Sequence, residues 1–509
     1  MIKQQLIFRL APLTRSSGDL LSGFRVLSFL LCLICFSYST ASHIFAERSE
    51  EDIVNWLEAT APIDERISLS EAALLLSKTI YPEVDVKKYT ERLDRMAEDI
   101  KKQLRKEPQP EEIITAINQY LYQEKGALVA PIEIGDRMDK FMLSKVMDSM
   151  QGNCLGFSTL YYCLAERLEL PLSAVVIPQH VFLCYENRGK ISRNIEPTSN
   201  GAEISNDEYI ERTKKLIGDT IPKYSYPKKI TFRKISKKQF VALILYNRAV
   251  DYFRHGHSWP AIKDFSQSLR IDPNHAETYK SRGSLYLEQK VYNKAAEDLK
   301  KADELEPDCP QTLYNLGAAY FSQAQIISGL DPDVTSENDA LKCFEKTIKL
   351  APDYTEAYYS RGLIYHRQEN DRLALEDFTQ AIKLNPNHST SYLGRAMAYF
   401  SLDVLDRALI DLNKSISLDN SSADAYNNRG VIHAKQENWE EALSDFQQAV
   451  NLDANLTDAY HNLAITYYKM KRYAEALPHA KKYLTLIPDD HPKRQEAQEL
   501  HQALKRLIK

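Results

Sequence analysis

Five short stretches set the architecture: "IDPNHAE" (Ile271–Glu277), "LEPDCPQ" (Leu305–Gln311), "LAPDYTE" (Leu350–Glu356), "LNPNHST" (Leu384–Thr390) and "LIPDDHP" (Leu486–Pro492). Asn420 in "LDNSSAD" and Ala454 in "LDANLTD" fill the slot that proline holds elsewhere. Measured at that slot, the separations are 34, 45, 34, 34, 34 and 34 residues. So steady a period means one small unit repeated and stacked on its neighbours, in place of a single large core.

Working outward from the proline, each unit carries a small residue at one place: Ala249, Gly283, Gly317, Gly362, Ala396, Gly430 and Ala464. Three residues later stands an aromatic, at Tyr252, Tyr286, Tyr320, Tyr365, Tyr399 and Tyr467, with His433 in the sixth unit. A second small residue recurs at Ala261, Ala295, Ala340, Ala374, Ala408, Ala442 and Ala476, and a bulky one follows at Phe265, Leu299, Phe344, Phe378, Leu412 and Phe446. These spacings place apolar side chains on one face of each of two helices, let the pair approach at the small residues, and stop the second helix at the proline. The pattern resembles the tetratricopeptide repeat, in seven units from about Phe240 to Pro488. It implies an all-α superhelix. The eleven extra residues of the long interval, around "IISGLDPDVTS" from Ile326, fit between the two helices of the third unit, and a polar helix from His491 to Lys509 caps the array. The resemblance further implies a protein or peptide ligand in the concave face of the repeats. Asn247, Asn315, Asn428 and Asn462 recur two residues before the small position, where a carboxamide that both donates and accepts suits a peptide backbone. Consensus packing is the other account of these asparagines, and Ser281, Ser360 and Gly394 interrupt the series.

A different chemistry stands ahead of the repeats. In "QGNCLGFSTLYYCLAERL" (Gln151–Leu168) the residues Phe157, Leu160, Tyr161, Leu164 and Leu168 form a helical stripe, with Asn153 as its N-cap. Cys154 therefore falls in the first turn, where unpaired amides and the helix dipole favour a thiolate. Downstream, "LSAVVIPQHVFLCYENRGKISRNIEPTSNG" (Leu172–Gly201) reads as strands, with Val181, Leu183 and Tyr185 facing one way and His180, Phe182 and Cys184 the other. A three-residue hairpin loop at Asn187–Gly189, centred on Arg188, sets His180 directly opposite Glu196. In that arrangement a carboxylate holds one imidazole nitrogen while the other faces a thiol. The bland alternatives are a buried small cysteine at Cys154 and a structural hydrogen-bonded pair at His180 and Glu196.

The order cysteine, histidine, acid, carried by "GNCLGFS", "PQHVFLCYE" and "NIEPTSNG", resembles the transglutaminase-like superfamily. The segments "SLSEAALLLSKTIYPEVDVKKYTERLD", "INQYLYQEKGA" and "AERLELPLSAVVIPQH" are similar to a bacterial branch in which this α+β domain precedes a tetratricopeptide-like tail; the likeness runs from about Ile67 to Pro273. It implies Cys154 as nucleophile, His180 as general base and then acid, Glu196 as the orienting carboxylate, and the Cys154 N–H with Gln151 as oxyanion donors. Glutamate stands where the family usually has aspartate, and Leu155 where tryptophan often follows the cysteine.

At the start of the chain, Lys3, Arg9, Arg15 and Arg25 precede the apolar run "VLSFLLCLICFSYSTAS" (Val26–Ser42), and Glu47, Glu50, Glu51 and Asp52 come after it. That order sends the rest of the chain across the bacterial inner membrane, with a periplasmic or membrane-anchored product. Cleavage after Ala41 or Ala46 and retention as an anchor through residues 26–42 both fit. The expected organisation is thus an export segment (1–46), an α+β transglutaminase-like domain with a helical front and a basic linker (47–239), seven repeats (240–490) and a capping helix (491–509). Of seven cysteines, Cys154, Cys163, Cys184, Cys309 and Cys343 lie beyond the export segment, an odd number that is no disulfide framework, with Cys163 and Cys184 as the one candidate pair. The net charge of -5 excludes a nucleic acid as the main partner. The basic run "YPKKITFRKISKKQF" from Tyr226 is a solvated linker face or an anionic-lipid contact. No metal-ligand spacing and no glycine-rich phosphate loop occurs, so no cofactor is expected.

Overall fold

A computed structural model describes residues 68–129, 138–187, 190–219, 231–327 and 334–508. Residues 1–67, which hold the expected export segment and the start of the expected helical front, and Arg188 and Gly189 of the expected hairpin loop lie outside the described residues. No helix among the described residues is long and apolar enough to cross a membrane. The chain divides into two compact units, one ending and the other beginning near residue 332.

The first unit is built around one helix. Helices α1 (Leu69–Ile80), α2 (Val86–Lys101), α3 (Pro110–Asn118) and α4 (Leu143–Ser149) surround α5 (Cys154–Arg167). Their starts reflect local chemistry: Ser68 and Asp85 accept from the backbone as N-caps, and Gln109 with Glu112 forms a capping box ahead of Pro110. Helix α3 continues as a π-helical segment, Gln119–Glu124. The stripe on α5 predicts one buried face, yet the helix is buried continuously from Leu155 to Ala165. The reason is that helices cover one side of it and a sheet the other.

That sheet comprises β3 (Leu172–Ile177), β4 (His180–Asn187), β5 (Lys190–Ile195) and β6 (Arg233–Ile235), all antiparallel, in the order β5-β4-β3-β6. A separate parallel pair joins β1 (Leu128–Val129) to β2 (Gln151–Gly152). Strand alternation divides the sheet's residues as expected. Val181, Leu183 and Tyr185 join the large core with α5, while Phe182 and Cys184 join Val175, Ile177, Ile204 and Tyr209 in a smaller core on the other face. Tyr209 belongs to α6 (Asn206–Asp219). Cys163 and Cys184 consequently sit in different cores, and both are free thiols, which corrects their candidate pairing. The basic run is corrected in part as well: Arg233–Ile235 pair with Ala174–Val176 of β3, and Lys237 bridges to Glu166 at 2.6 Å.

The first repeat helix, α7 (Lys237–Arg254), is part of the same core, with Phe240, Val241 and Leu245 fully buried in it. It packs with α8 (Ser258–Ile271), and the next repeat consists of α9 (Ala276–Glu288) and α10 (Tyr292–Leu305). Within each hairpin an arginine beside the small residue reaches across to an aspartate. Arg248 grips Asp264 with two bonds of 2.6 and 2.8 Å, and Arg282 grips Asp298 at 2.7 and 2.8 Å. The remaining Nη1 of Arg282 donates to Ser266 on the preceding repeat, 2.9 Å away. Nη1 of Arg248 donates instead to Thr79 of α1, at 2.6 Å. Helix α1 of the front domain thus stands where a preceding repeat would.

After α7, which has 18 residues, the regular helices are 13 or 14 residues long, but α11 (Pro310–Ile327) has 18 and α12 (Val334–Leu350) has 17, so most of the extra eleven residues lengthen these two helices. The second unit begins with α12 and continues as α13 (Thr355–Arg367), α14 (Asp371–Leu384), α15 (Ser389–Ser401), α16 (Leu405–Leu418), α17 (Ala423–Lys435), α18 (Trp439–Leu452), α19 (Thr457–Lys469) and α20 (Tyr473–Leu486). The same ion pair recurs as Arg361–Asp377, Arg395–Asp411 and Arg429–Asp445. The last helix, α21 (Arg494–Leu507), buries Leu500 and Leu504 against Ala464, Ile465, Ala476 and Ala480 and so closes the apolar end of the array.

Candidate active site

The start of α5 is fixed by its neighbours. Asn153 donates its N–H to the Lys140 carbonyl at 2.9 Å, and its side chain accepts from the Gly156 N–H at 3.0 Å. A Cβ on Gly156 would stand 2.3 Å from that same Lys140 oxygen, so only glycine lets the helix approach this turn. The amides of Cys154 and Leu155 are left with no acceptor inside the helix. Cys154 itself is partly exposed.

The Cys154 thiol lies at the start of β4, where His180 and the backbone at Val181 are the groups that act on its charge. His180 Nε2 donates to Glu196 Oε2 at 2.6 Å, so it is the other ring nitrogen that faces the thiol. Sulfur, imidazole and carboxylate therefore form one line at the rim where β4 begins and β5 ends. The Glu196 side chain is 2% exposed and that of His180 22%.

Glu196 accepts from more than the histidine. Its Oε1 takes the N–H of Thr198 at 2.9 Å and the Thr198 hydroxyl. Its Oε2 is shared with the hydroxyl of Tyr209, 2.9 Å away. Tyr209 stacks on Phe182 with ring centres 4.0 Å apart and leans on His180 at 5.8 Å. The acid's loop is tied down in turn: Tyr122, on the π-helical segment, donates to the Pro197 carbonyl at 2.5 Å, and Asn118 donates to the Gly201 carbonyl at 3.2 Å. π-helical turns of this kind are frequent at functional sites.

The charges are set by this geometry. Burial pushes the Cys154 thiol up, but the His180 charge and hydrogen bond and the Val181 backbone outweigh it and hold the thiol below its ordinary value. Burial pushes His180 down, yet Cys154 and Glu196 raise it to about 10. Burial raises Glu196, and His180 and Thr198 together more than reverse that. A lowered thiol and a raised imidazole both favour the form in which the proton sits on His180.

The His180–Glu196 register differs from expectation. Asn187 pairs with Lys190 and Leu183 with Ile195, with an irregularity between Tyr185 and Glu186. The ladder continued by one step would set Glu196 opposite Phe182, one diagonal from His180. The offset is two residues, an even number, so the shared face survives and the two side chains still meet.

Other expected residues fall differently. Gln151 lies on β2 with its Oε1 accepting from Lys140 Nζ at 3.2 Å, which leaves the carboxamide's NH2 as its donating end. Two of the four series asparagines are corrected, while Asn247 and Asn315 stay partly exposed. Asn428 and Asn462 are 1% and 0% exposed and bond to Asn427 inside the helix layer, where no ligand backbone reaches them. Asn247 bonds back to the Leu243 carbonyl at 2.9 Å, and Asn315 to Ser284 on the preceding repeat at 3.0 Å. Thr198 and Tyr209 are the functional neighbours that sequence reasoning missed. Thr198 had a local signal, since a carboxylate two residues before a threonine can close on its N–H. Tyr209 had none, being an aromatic on an ordinary amphipathic helix. Among the described residues no group of three His, Cys, Asp or Glu is placed to hold a metal.

Comparison with known proteins finds family matches for both parts of the chain. Residues 87–245 fit the family model of the transglutaminase-like superfamily, and residues 283–323, 355–388 and 421–489 fit models of the tetratricopeptide repeat. The chain carries a transglutaminase-like domain followed by tetratricopeptide repeats. Among individual relatives, a UPF0162 protein of Xylella fastidiosa (strain Temecula1) is 25% identical over 259 residues, covering 50% of this chain and 89% of that protein. Tetratricopeptide repeat protein 13 of Homo sapiens is 28% identical over 105 residues, covering 21% of this chain and 11% of its own length. A solved tetratricopeptide repeat protein from Parabacteroides merdae superposes with a TM-score of 0.42 at 17% identity, covering 52% of this chain and 98% of that one.

Proposed function

We propose that the front domain is a cysteine-dependent acyl-transfer enzyme acting on an amide or isopeptide bond, and that the repeats bind the protein or peptide that bears it. The observation that carries this reading is the Cys154–His180 pair with Glu196 on the far nitrogen. The thiolate attacks the carbonyl carbon, a C–S bond forms, and the carbonyl electron pair moves onto oxygen, toward the Cys154 N–H and the Gln151 carboxamide. The imidazolium of His180 then gives its proton to the leaving nitrogen as the C–N bond breaks. An amine departs and a thioester remains on Cys154. Neutral His180 next takes a proton from water as its oxygen attacks the thioester, and the thiolate leaves with a carboxylic acid as product; an amine in place of water regenerates an amide. Glu196 stays ionised throughout and orients the ring.

The cations before residue 26, the apolar run 26–42 and the acids after it support export across a bacterial inner membrane, with the run serving as anchor wherever it is retained. The partner is a protein or peptide held on the concave face of the repeats, and the net charge of -5 is unsuited to nucleic acid.

The test uses 4-nitrophenyl acetate as acyl donor with the full chain. Peptide mapping by mass spectrometry is expected to find an acetyl thioester on Cys154, formed slowly in His180→Ala and absent from Cys154→Ala. Acetylation that ignores both substitutions would make the domain a silent one within an interaction scaffold.

A further inference from the structure

Two donors meet on one oxygen of the candidate acid. We propose that Tyr209 is a positioning residue of this site: by donating to the carboxylate oxygen that also holds His180, its hydroxyl limits the charge offered to the imidazolium and so keeps His180 able to release its proton to the leaving group. The inference rests on the acyl-transfer reading above.

The geometry is specific to Oε2. Tyr209 OH and His180 Nε2 reach that atom at 2.9 and 2.6 Å, whereas Thr198 holds only Oε1. Tyr209 is 2% exposed, so no bulk water competes for the carboxylate along that direction. Its ring is fixed between Phe182 and the imidazole, which leaves the hydroxyl one direction in which to donate. Burial, then the Glu196 charge and hydrogen bond, drive the phenol far above its usual range, so it is always a donor.

The consequence concerns the second half of the proton's journey. A histidine held between a thiolate and a bare carboxylate keeps its proton too well, and general acid catalysis is best when the acid's pKa lies near the working pH. A hydroxyl dipole pointing its hydrogen at the shared oxygen opposes that grip. The other groups that face this cluster are Cys154 from α5, Tyr122 from the π-helical segment, Thr198 from the acid's own loop, and Glu208 and Arg212 from α6, which flank Tyr209 with opposite signs. None of these donates to Oε2.

The experiment titrates the full chain with histidines labelled at 13Cε1, monitored by NMR, with His180→Ala assigning the resonance. Tyr209→Phe keeps the ring and its stacking but loses the donor. The His180 midpoint is expected to rise by about 0.5 to 1 pH unit, the usual scale for one hydrogen bond to the charged form, and acyl transfer to slow while the unfolding temperature holds. Site-specific 3-fluorotyrosine at position 209, a stronger donor of nearly the same shape, is expected to move the midpoint down; it also keeps the test open should Tyr209→Phe fold poorly. A midpoint unmoved by either change, or moved the same way by both, overturns the role of Tyr209. A wild-type midpoint at an ordinary histidine value would overturn the reading of the site itself.

Discussion

Glu196 is one methylene longer than the aspartate the resemblance leads one to expect, and the strand register gives the reason. A residue one diagonal from His180 needs extra reach, and Glu196 uses it to touch His180 and Tyr209 with one oxygen while closing on Thr198 with the other. Glu196→Asp is therefore expected to lose the imidazole contact, and alkylation of Cys154 at neutral pH should slow by about tenfold, the equivalent of one pKa unit; an unchanged rate would show that the offset does not matter. Gly201 is a second pressure point. It has φ +68°, and a Cβ there would fall 1.9 Å from Asn118 Oδ1. Gly201→Ala should destabilise the fold by about 2 kcal/mol, read from denaturant melts, and displace the loop that presents Glu196. The three chemical residues were legible because thiol, imidazole and carboxylate announce themselves by type and because strand parity tolerates an even slip. The register was not legible, since an irregularity between Tyr185 and Glu186 has no sequence mark. Tyr209 became visible only once a helix folded back over the sheet.

At the scale of the elements, the recurring arginine and aspartate compensate each other's charge inside the repeat hairpins. Arg282, Arg361, Arg395 and Arg429 each lie within 5.5 to 6.0 Å of a tyrosine ring centre while forking onto an aspartate sixteen residues on. Such a planar, bidentate and stacked arrangement suits guanidinium and not ammonium. Arg282→Leu leaves the Asp298 carboxylate buried without its counter-ion and should cost about 3 to 5 kcal/mol, whereas Arg282→Leu with Asp298→Leu should recover most of that loss in chemical melts. Equal losses in single and double variants would mean the pair itself stabilises the fold. In five of the seven units the sequence holds this pattern openly, with arginine just before the first small residue and aspartate three after the second; the units of Gly317 and Ala464 carry leucine before the small residue. Asn428 and Asn462 were misleading for a physical reason: a carboxamide facing the next helix pair is as well satisfied by packing neighbours as by a ligand, and spacing alone does not distinguish the two.

For the first unit as a whole, the front domain and the first repeat share one core. Phe240, Val241 and Leu245 are buried among front-domain residues, Arg233 of β6 reaches Asp272 at 3.0 Å, and Thr79 of α1 receives Arg248. A chain ended at residue 239 is accordingly expected to show no cooperative thermal transition by circular dichroism, while one ended at residue 327 melts cooperatively; a sharp transition in the shorter chain would make the first repeat an appendage. The repeat period showed where the helices lie, but not that the first of them completes another domain's core, because an apolar helix face does not say which surface covers it. The account as a whole turns on the proton shared by Cys154 and His180, and iodoacetamide labelling of Cys154 across pH measures it most directly. With the thiol held low and His180 raised to about 10, the wild-type chain should react well below the pH at which ordinary thiols do, through an ion pair that is lost as pH falls through the thiol's lowered pKa. His180→Ala should return the onset to the usual thiol range. The same profile in both proteins would contradict the account.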